Sequence, residues 1–473
     1  MKVETAFSGV KVFVPTGQLG SSGVRRSEVE AAIALGFDAI AMDAGSTDSG
    51  AAYLATGNSK NVRSSVKKDL LLVMEAQART GAPILVGTAG QAGGDLNVDW
   101  TVDIVLEVAR QNGYTPKIAV LKSEQEKAVI KDRNAAGAVR PLPPLGDLDD
   151  ATIDECDHIV ALMGPEPFMA ALNAGADIII GGRASDAAVI AAYALWRGAP
   201  AGPSWHAGKT GECGALCTVK EVPASGCMLT IDAEGFDVEP LADANRSTAH
   251  SVSAHMLYEN SNPFLLVEPG GVLDVTACQY HEIDARRVRV TGSVWTPRPY
   301  TMKLEGAAAE GFQTIMIVGI TDPLVLANLD LFHDRMLSAM TDRVMAALEL
   351  REPEFDISLR IYGWNAVSGR PVPKDAPLPR EVGVLCVITA STQEMANQIA
   401  RVCNAPFFHL PIFDGIEMPS YGFPFTPSSS ERGQAYAFKL NHVVEVGDPL
   451  ELVRTEWIET GRLNLEEVTN AYG

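Results

Sequence analysis

The chain is predicted to be an α/β protein, with an N-terminal, mostly parallel sheet carrying helices on both faces, followed by an α+β domain with ferredoxin-like elements. Three observations predict it. Short β-rich runs alternate with helical stretches of roughly 10–18 residues through the first half, which is the pattern of βαβ crossovers. The loops that follow these strands are rich in Gly and carry Asp, whereas the opposite ends are tight turns such as Leu35-Gly36-Phe37-Asp38 and Thr80-Gly81-Ala82. From about Glu221 onward, strand-like runs follow one another with turn signals between them, as antiparallel pairing requires. The two domains are therefore expected at 1–220 and 221–473.

The opening MKVETAFSGVKVFVP reads as a short lead into a strand at Lys11 to Pro15. A Gly-rich loop, TGQLGSSGV, leads to a helix whose apolar positions Val29, Ala32, Ile33 and Leu35 recur at helical spacing. FDAIAMDAG is the second strand, ending in DAGSTDSG, and a helix from Arg63 to Arg79 follows. APILVGTAGQAGGD is a third strand running into a loop with four glycines and Asp95, before a helix from Val98 to Asn112. Lys117 to Leu121 is a fourth strand, and Cys156 to Met163 with a helix from Pro165 to Asn173 a fifth unit. Then ADIIIGGRASDAAV sets a buried strand, a glycine turn and a helix start in one corner, with Ser185 or Asp186 available as N-cap. Right-handed crossovers place the carboxyl ends of such strands on one edge, so the loops Thr16 to Gly23, Asp43 to Gly50, Gly87 to Asp95 and Gly181 to Asp186 are expected to converge.

In the second half, MLTID, LLVEPGGVLDV, RRVRVTGSVW and YTMKLEG are strand-like. GFQTIMIVGIT, an amphipathic run from Asp322 to Leu348, DISLRIYGWNAV, EVGVLCVITA and a helix from Ser391 to Cys403 suggest a split βαβ order. Asn404 to Arg432 is loop-rich, and YAFKLNHVVEV with DPLELVRTEWIE is read as a last strand and helix.

A net charge of -21 argues against nucleic acid or an anionic membrane surface as partner. Seven cysteines, an odd number spread from Cys156 to Cys403, form no disulfide framework. No run reaches the roughly 18 apolar residues of a membrane span. A soluble, cytoplasmic chain is expected, and a homo-oligomer, with or without a small partner subunit. No loop matches the dinucleotide fingerprint or the Gly-Lys-[Ser/Thr] phosphate loop, which argues against NAD and ATP.

Four stretches carry candidate chemistry. Arg183 and Asp186 share one corner, and Arg183 can clamp a carboxylate. DAGSTDSG offers Asp43, Ser46, Thr47 and Asp48, whose bland reading is a capped turn. Backbone N–H groups of the Gly87 to Asp95 loop, Gly90 among them, can meet an oxyanion. WHAGKTGECGALC brings His206, Lys209, Glu212, Cys213 and Cys217 together, with Cys213, Cys217 and His206 an incomplete zinc set and Cys217 readable as a buried hydrophobe. Asp43, Asp48, Asp95 and Asp186 could share a divalent ion if they converge. His250 and His255, five apart, do not share one helix face, so one of them is expected to point toward a cleft.

Taken together, IIIGGRASDAAV, WHAGKTGECGALC, DAGSTDSG, FLLVEPGG and FHLPIFDG resemble the acyclic terpene utilisation protein A (AtuA) family over most of the chain. The resemblance implies a large N-terminal α/β domain and a small ferredoxin-like domain, fused or as a partner subunit. It carries Lys209, Glu212 and Cys213, Arg183 and Asp186, and Asp43, Ser46, Thr47 and Asp48 over as site residues. It also implies a pathway that processes acyl-CoA thioesters, without specifying the reaction.

The expected function is proton abstraction beside the carbonyl of a small organic acid or its CoA thioester, by an isomerase or hydratase/lyase. Arg183 would hold the carboxylate, and Glu212, Asp48 or His206 would move the proton. The alternatives are a hydrolase or acyl transferase with Cys213 as nucleophile, its thiol activated by Lys209 or His206, and a non-catalytic subunit of a larger catabolic complex.

Overall fold

The structure, a computed structural model, describes residues 7, 9–20, 23–219, 226–373 and 375–462. The expected start of the chain at 1–6 and residue Glu221 lie outside them. The chain divides into two units, Met1–Ala308 with Phe438–Gly473, and Ala309–Ala437. The boundary expected near residue 220 is thus displaced, because the strands that follow it extend the first sheet.

The first unit is built on a ten-stranded sheet. Five parallel strands form its middle in the order Val10–Val14, Ala39–Asp43, Ile84–Gly87, Ile178–Gly181 and Lys117–Lys122. Cys227–Ile231 pairs antiparallel with Val10–Val14, and Gly235–Pro240, Val288–Thr291 and Gln279–Glu282 continue outward from it. At the other edge lies Arg454–Glu459, antiparallel to Lys117–Lys122. This last segment was expected to be a helix. Thr455, Trp457 and Ile458 suit a strand, and the open sheet edge supplies the backbone partners. Residues His158–Ala161, expected as a fifth parallel strand, instead pair antiparallel with the start of Thr301–Ile320.

Alternation along the central strands feeds two cores. Ala39, Ala41, Leu85 and Ile179 face one side, and Ile40, Met42, Ile84, Val86, Ile178 and Ile180 the other. The small residues of the first side admit the alanine-rich helix Asp186–Trp196, which is buried nearly all round and packs on helix Ala201–Gly211. A helix apolar on every face belongs inside, and this one fixes where its first turn points.

The second unit has the order strand, helix, strand, strand, helix, strand: the later part of Thr301–Ile320, Leu329–Leu348, Phe355–Tyr362, Val382–Ala390, Gln393–His409 and the first part of Ser429–Glu445. Its strands lie in the order second, third, first, fourth, with antiparallel pairs between the first three neighbours, which is the ferredoxin-like arrangement. Met316, Phe332, Met336, Cys386, Ile399 and Phe407 are among its core. The final helix runs beyond the expected end at Cys403, through Pro406, to His409.

Candidate functional site

All four loops at the carboxyl edge of the parallel strands are stitched together by backbone hydrogen bonds. Leu19 N donates to Asp43 O (2.9 Å), Ala44 N to Gly87 O (2.9 Å), Thr88 N to Gly182 O (2.9 Å) and Arg183 N to Gly93 O (3.1 Å). Gly93 has φ +69° and a Cβ there would lie 2.3 Å from the Arg183 nitrogen, so both conformation and space require glycine. The convergence expected from the crossovers is therefore present. The turn also consumes donors. Thr88, Ala89, Gly93, Gly94 and Asp95 give their N–H groups to Gly182, Gly181, Ala89, Asn97 and Glu124, and the Gly90 carbonyl accepts from Asn97. These five N–H groups hold the loop itself and are not free to meet an oxyanion.

Arg183 is buried and its Nε donates to Glu305 Oε2 at 2.8 Å, while Nη1 reaches Ala184 O at 3.1 Å and lies 3.8 Å from Asp186 Oδ1. Its expected role as a clamp for a substrate carboxylate is corrected by this arrangement, because a protein carboxylate already occupies the guanidinium. Glu305 also accepts from Thr47 Oγ1 (2.7 Å) and Lys303 Nζ (2.7 Å). Burial opposes its charge, but Arg183 and Lys303 outweigh burial and hold the carboxyl down at about 2. A cavity of about 370 Å³ opens beside this group, lined by Thr47, Asp48, Lys303 and Glu305 with Leu440 and Asn441.

Around this fixed pair stand carboxyls of the opposite character. Asp43 ends its strand, accepts from Gly45 N at 2.9 Å through Oδ2, and leaves Oδ1 buried without a hydrogen-bond partner. Burial, and then Asp186, push it well up. Asp186 follows the N-cap Ser185, keeps 27% of its side-chain surface exposed, and likewise has an Oδ1 with no hydrogen-bond partner. Burial raises it against the pull of Arg183 and Lys209. Glu268 accepts from Ser185 Oγ at 2.7 Å and is pushed up to about 7, chiefly by burial, with Asp186 adding to it.

Lys209 and Glu212 lie three residues apart on and just beyond helix Ala201–Gly211, both buried, joined by a hydrogen bond from Nζ to Oε1. Burial disfavours the ammonium, but Glu212 more than offsets that, so Lys209 keeps its proton. Glu212 is held above the usual carboxylate range because its own burial outweighs Lys209. The Cys213 thiol is also pushed up, by burial and then by Glu212 and Glu259. That is opposite to the low value a thiolate nucleophile needs. Cys217 is a buried thiol raised to about 12 by burial.

The expectation for His206 is corrected. It is fully buried, bonded to Ser293 Oγ at 2.8 Å with its ring edge-on to Phe236, and burial pushes it down to about 3, so it is neutral and out of reach of a substrate. It also has no part in a zinc set with Cys213 and Cys217. Asp48 is exposed on the cavity rim, and Ser46 Oγ accepts from Asp48 N at 3.3 Å, so Ser46 serves as the turn's cap. The four aspartates do not gather into a ligand set. Asp95 pairs instead with Arg454. Among the described residues, the group of metal-ligating type is Glu212, Cys213 and His255.

Sequence reasoning missed Glu305, Lys303 and Glu268. Lys303 and Glu305, two apart in a strand, share one of its faces, and that spacing in an otherwise apolar run was the available signal.

A family model described as "Acyclic terpene utilisation family protein AtuA" matches residues 19–219 and 240–428. No curated protein and no solved structure matches the chain.

Proposed function

The chain belongs to the acyclic terpene utilisation AtuA family, and from that premise we propose that it is a catabolic enzyme that moves a proton at the carbon beside a carbonyl. Its substrate is a small organic acid or the CoA thioester of one, and its reaction an isomerisation or a hydration/elimination. One observation carries this reading: Asp186 and Glu268, partly accessible and tuned upward by burial, stand beside a charged Lys209 that Glu212 fixes in place. Carboxyls poised near neutral pH are the groups general acid–base catalysis uses.

Asp186, once ionised, takes the α-proton through the part of its carboxylate that is exposed, since Oδ1 is buried 3.8 Å from Arg183 Nη1. The electron pair moves onto the carbonyl oxygen, and the Lys209 ammonium meets the charge that develops there. Glu268 then gives its proton either to the distal carbon, completing an isomerisation, or to a leaving β-hydroxyl, which departs as water. Lys303, which lines the cavity with its side chain 37% exposed, can meet the anionic end of the substrate with donors not used on Glu305. A thiolate mechanism at Cys213 draws less support, given the direction in which its thiol is pushed. The chain's seven free cysteines suit the reducing setting of the cytoplasm, and among the described residues no helix is long and apolar enough to cross a membrane.

The reading is tested by incubating the chain in D₂O with a panel of short 3-oxo, 3-hydroxy and α,β-unsaturated acids and their CoA thioesters. Deuterium should appear at the carbon beside the carbonyl of one class, seen by proton NMR. Absence of exchange across the panel, with the compounds shown to bind, would count against it.

A further inference from the structure

We propose that Glu212, Cys213 and His255 form a binding site for a divalent cation of the zinc class. One ligand atom from each residue lies within 4.8 Å of the other two. Tetrahedral zinc, with bonds of about 2.0–2.3 Å, brings its ligand atoms to roughly 3.3–3.8 Å from one another, a gap that side-chain torsions can close.

Two segments build the trio. Glu212 and Cys213 follow directly on helix Ala201–Gly211, and His255 is the last residue of helix Ala249–His255. The second helix is anchored rather than loosely laid. Thr248 and Ser251 cap its start reciprocally, and Ser251 Oγ donates to Cys217 O at 2.7 Å, four residues beyond Cys213.

A second observation comes from His255 itself. Only 6% of it is exposed, and its Nε2 is buried with no hydrogen-bond partner. Leaving such a nitrogen unpaired is costly, so a native fold that does so calls for a partner. The ring is not free to turn away. It stacks on Tyr258 at 5.7 Å between centroids. A buried histidine with an unpartnered ring nitrogen, held against a carboxylate and a thiol, has the surroundings of a metal ligand.

The donor set decides the class of ion. One nitrogen, one sulfur and one carboxylate oxygen favour a borderline-soft cation such as Zn²⁺ or Co²⁺ over Mg²⁺ or Ca²⁺, which take oxygen ligands. Glu212 offers the oxygen that Lys209 does not hold, and Lys209 remains as the hydrogen bond that orients the carboxylate. On binding, the Cys213 thiol forms the S–metal bond and releases its proton to solvent, since a coordinating thiol is deprotonated by the cation. Three protein ligands leave the fourth position open, as in catalytic zinc sites. The assignment goes beyond the proton-transfer reading and does not depend on it.

The test uses the whole chain, stripped with a chelator and dialysed, then titrated with Co²⁺ and displaced with Zn²⁺. One equivalent of Co²⁺ should bind and give a thiolate-to-cobalt charge-transfer band in the near ultraviolet, which Zn²⁺ bleaches. Cys213→Ser should lose the band, and His255→Gln should weaken Co²⁺ binding by about 100-fold or more, at least the upper end of what losing a second-shell partner costs. Circular dichroism of the metal-free variants establishes that they are folded; if Cys213→Ser is not, His255→Gln alone decides. Absence of stoichiometric Co²⁺ binding to the wild-type chain overturns the proposal, as does a band that persists in Cys213→Ser or an affinity unchanged in His255→Gln.

Discussion

Replacing Arg183 with Met should cost about 3–5 kcal/mol of stability, the usual penalty for removing one partner of a buried ion pair. Glu305 would then remain buried with Lys303 as its charged partner, and Lys303 is more than a third exposed and correspondingly screened. The pH dependence follows from the sign of the shift. Folding holds Glu305 at about 2, below its unfolded value, so its contribution is present above the unfolded value and is lost as pH falls toward 2. In Arg183→Met the carboxyl rises, and the acid limb of the stability curve should move to higher pH. Adding Glu305→Gln to Arg183→Met removes the stranded charge and should recover part of the loss. Chemical denaturation of the three proteins checks this, and a loss below about 1 kcal/mol in Arg183→Met would show that the pair does not organise the corner.

Asp186→Asn should lower α-proton exchange by 10² to 10⁴-fold, about the weight of one acid–base group. The amide keeps the helix N-terminus occupied but cannot accept the proton. In the wild-type chain the rate of product formation should rise with pH as Asp186 ionises and fall as pH passes about 7, where Glu268 loses the proton it must donate. Glu268→Gln should abolish the falling limb together with most of the rate. Deuterium incorporation checks the first and product formation measured across pH the second, and an Asp186→Asn exchange rate within a few-fold of wild type would remove Asp186 from its role.

How much of this was legible in the sequence depended on whether a residue's role is local. Asp43, Arg183 and Asp186 sit where an apolar run meets a glycine turn, and such corners announce themselves by composition. Glu305 and Glu268 do not. They are single acids in ordinary strands, meeting Arg183 and Ser185 across 122 and 83 residues of chain. Nothing in their neighbours specifies those meetings.

The same distinction applies to the fold. Strands such as Ala39–Asp43 and Ile178–Gly181 are apolar along their length because both faces are buried, and were read correctly. The division into units was not, because its boundaries fall inside the strands Thr301–Ile320 and Ser429–Glu445, with no linker composition to mark them. Arg454–Glu459 could suit a helix or an edge strand by its residues, and the unpaired edge of Lys117–Lys122 decided the matter. His206 looked reactive because it lies three residues from Lys209, yet Phe236, Tyr280 and Ser293 enclose it, all from a part of the chain expected to form another domain.

The central claim is that a carboxyl in this crevice holds a proton close to neutral pH and can give it up. Difference infrared spectroscopy of the whole chain, titrated between pH 5 and 9 beside Glu268→Gln, measures this directly. A protonated-carboxyl C=O band should disappear around pH 7 in the wild-type chain and be missing from the variant. A wild-type spectrum with no carboxyl titrating above the ordinary acidic range, or a band unchanged by Glu268→Gln, would contradict it.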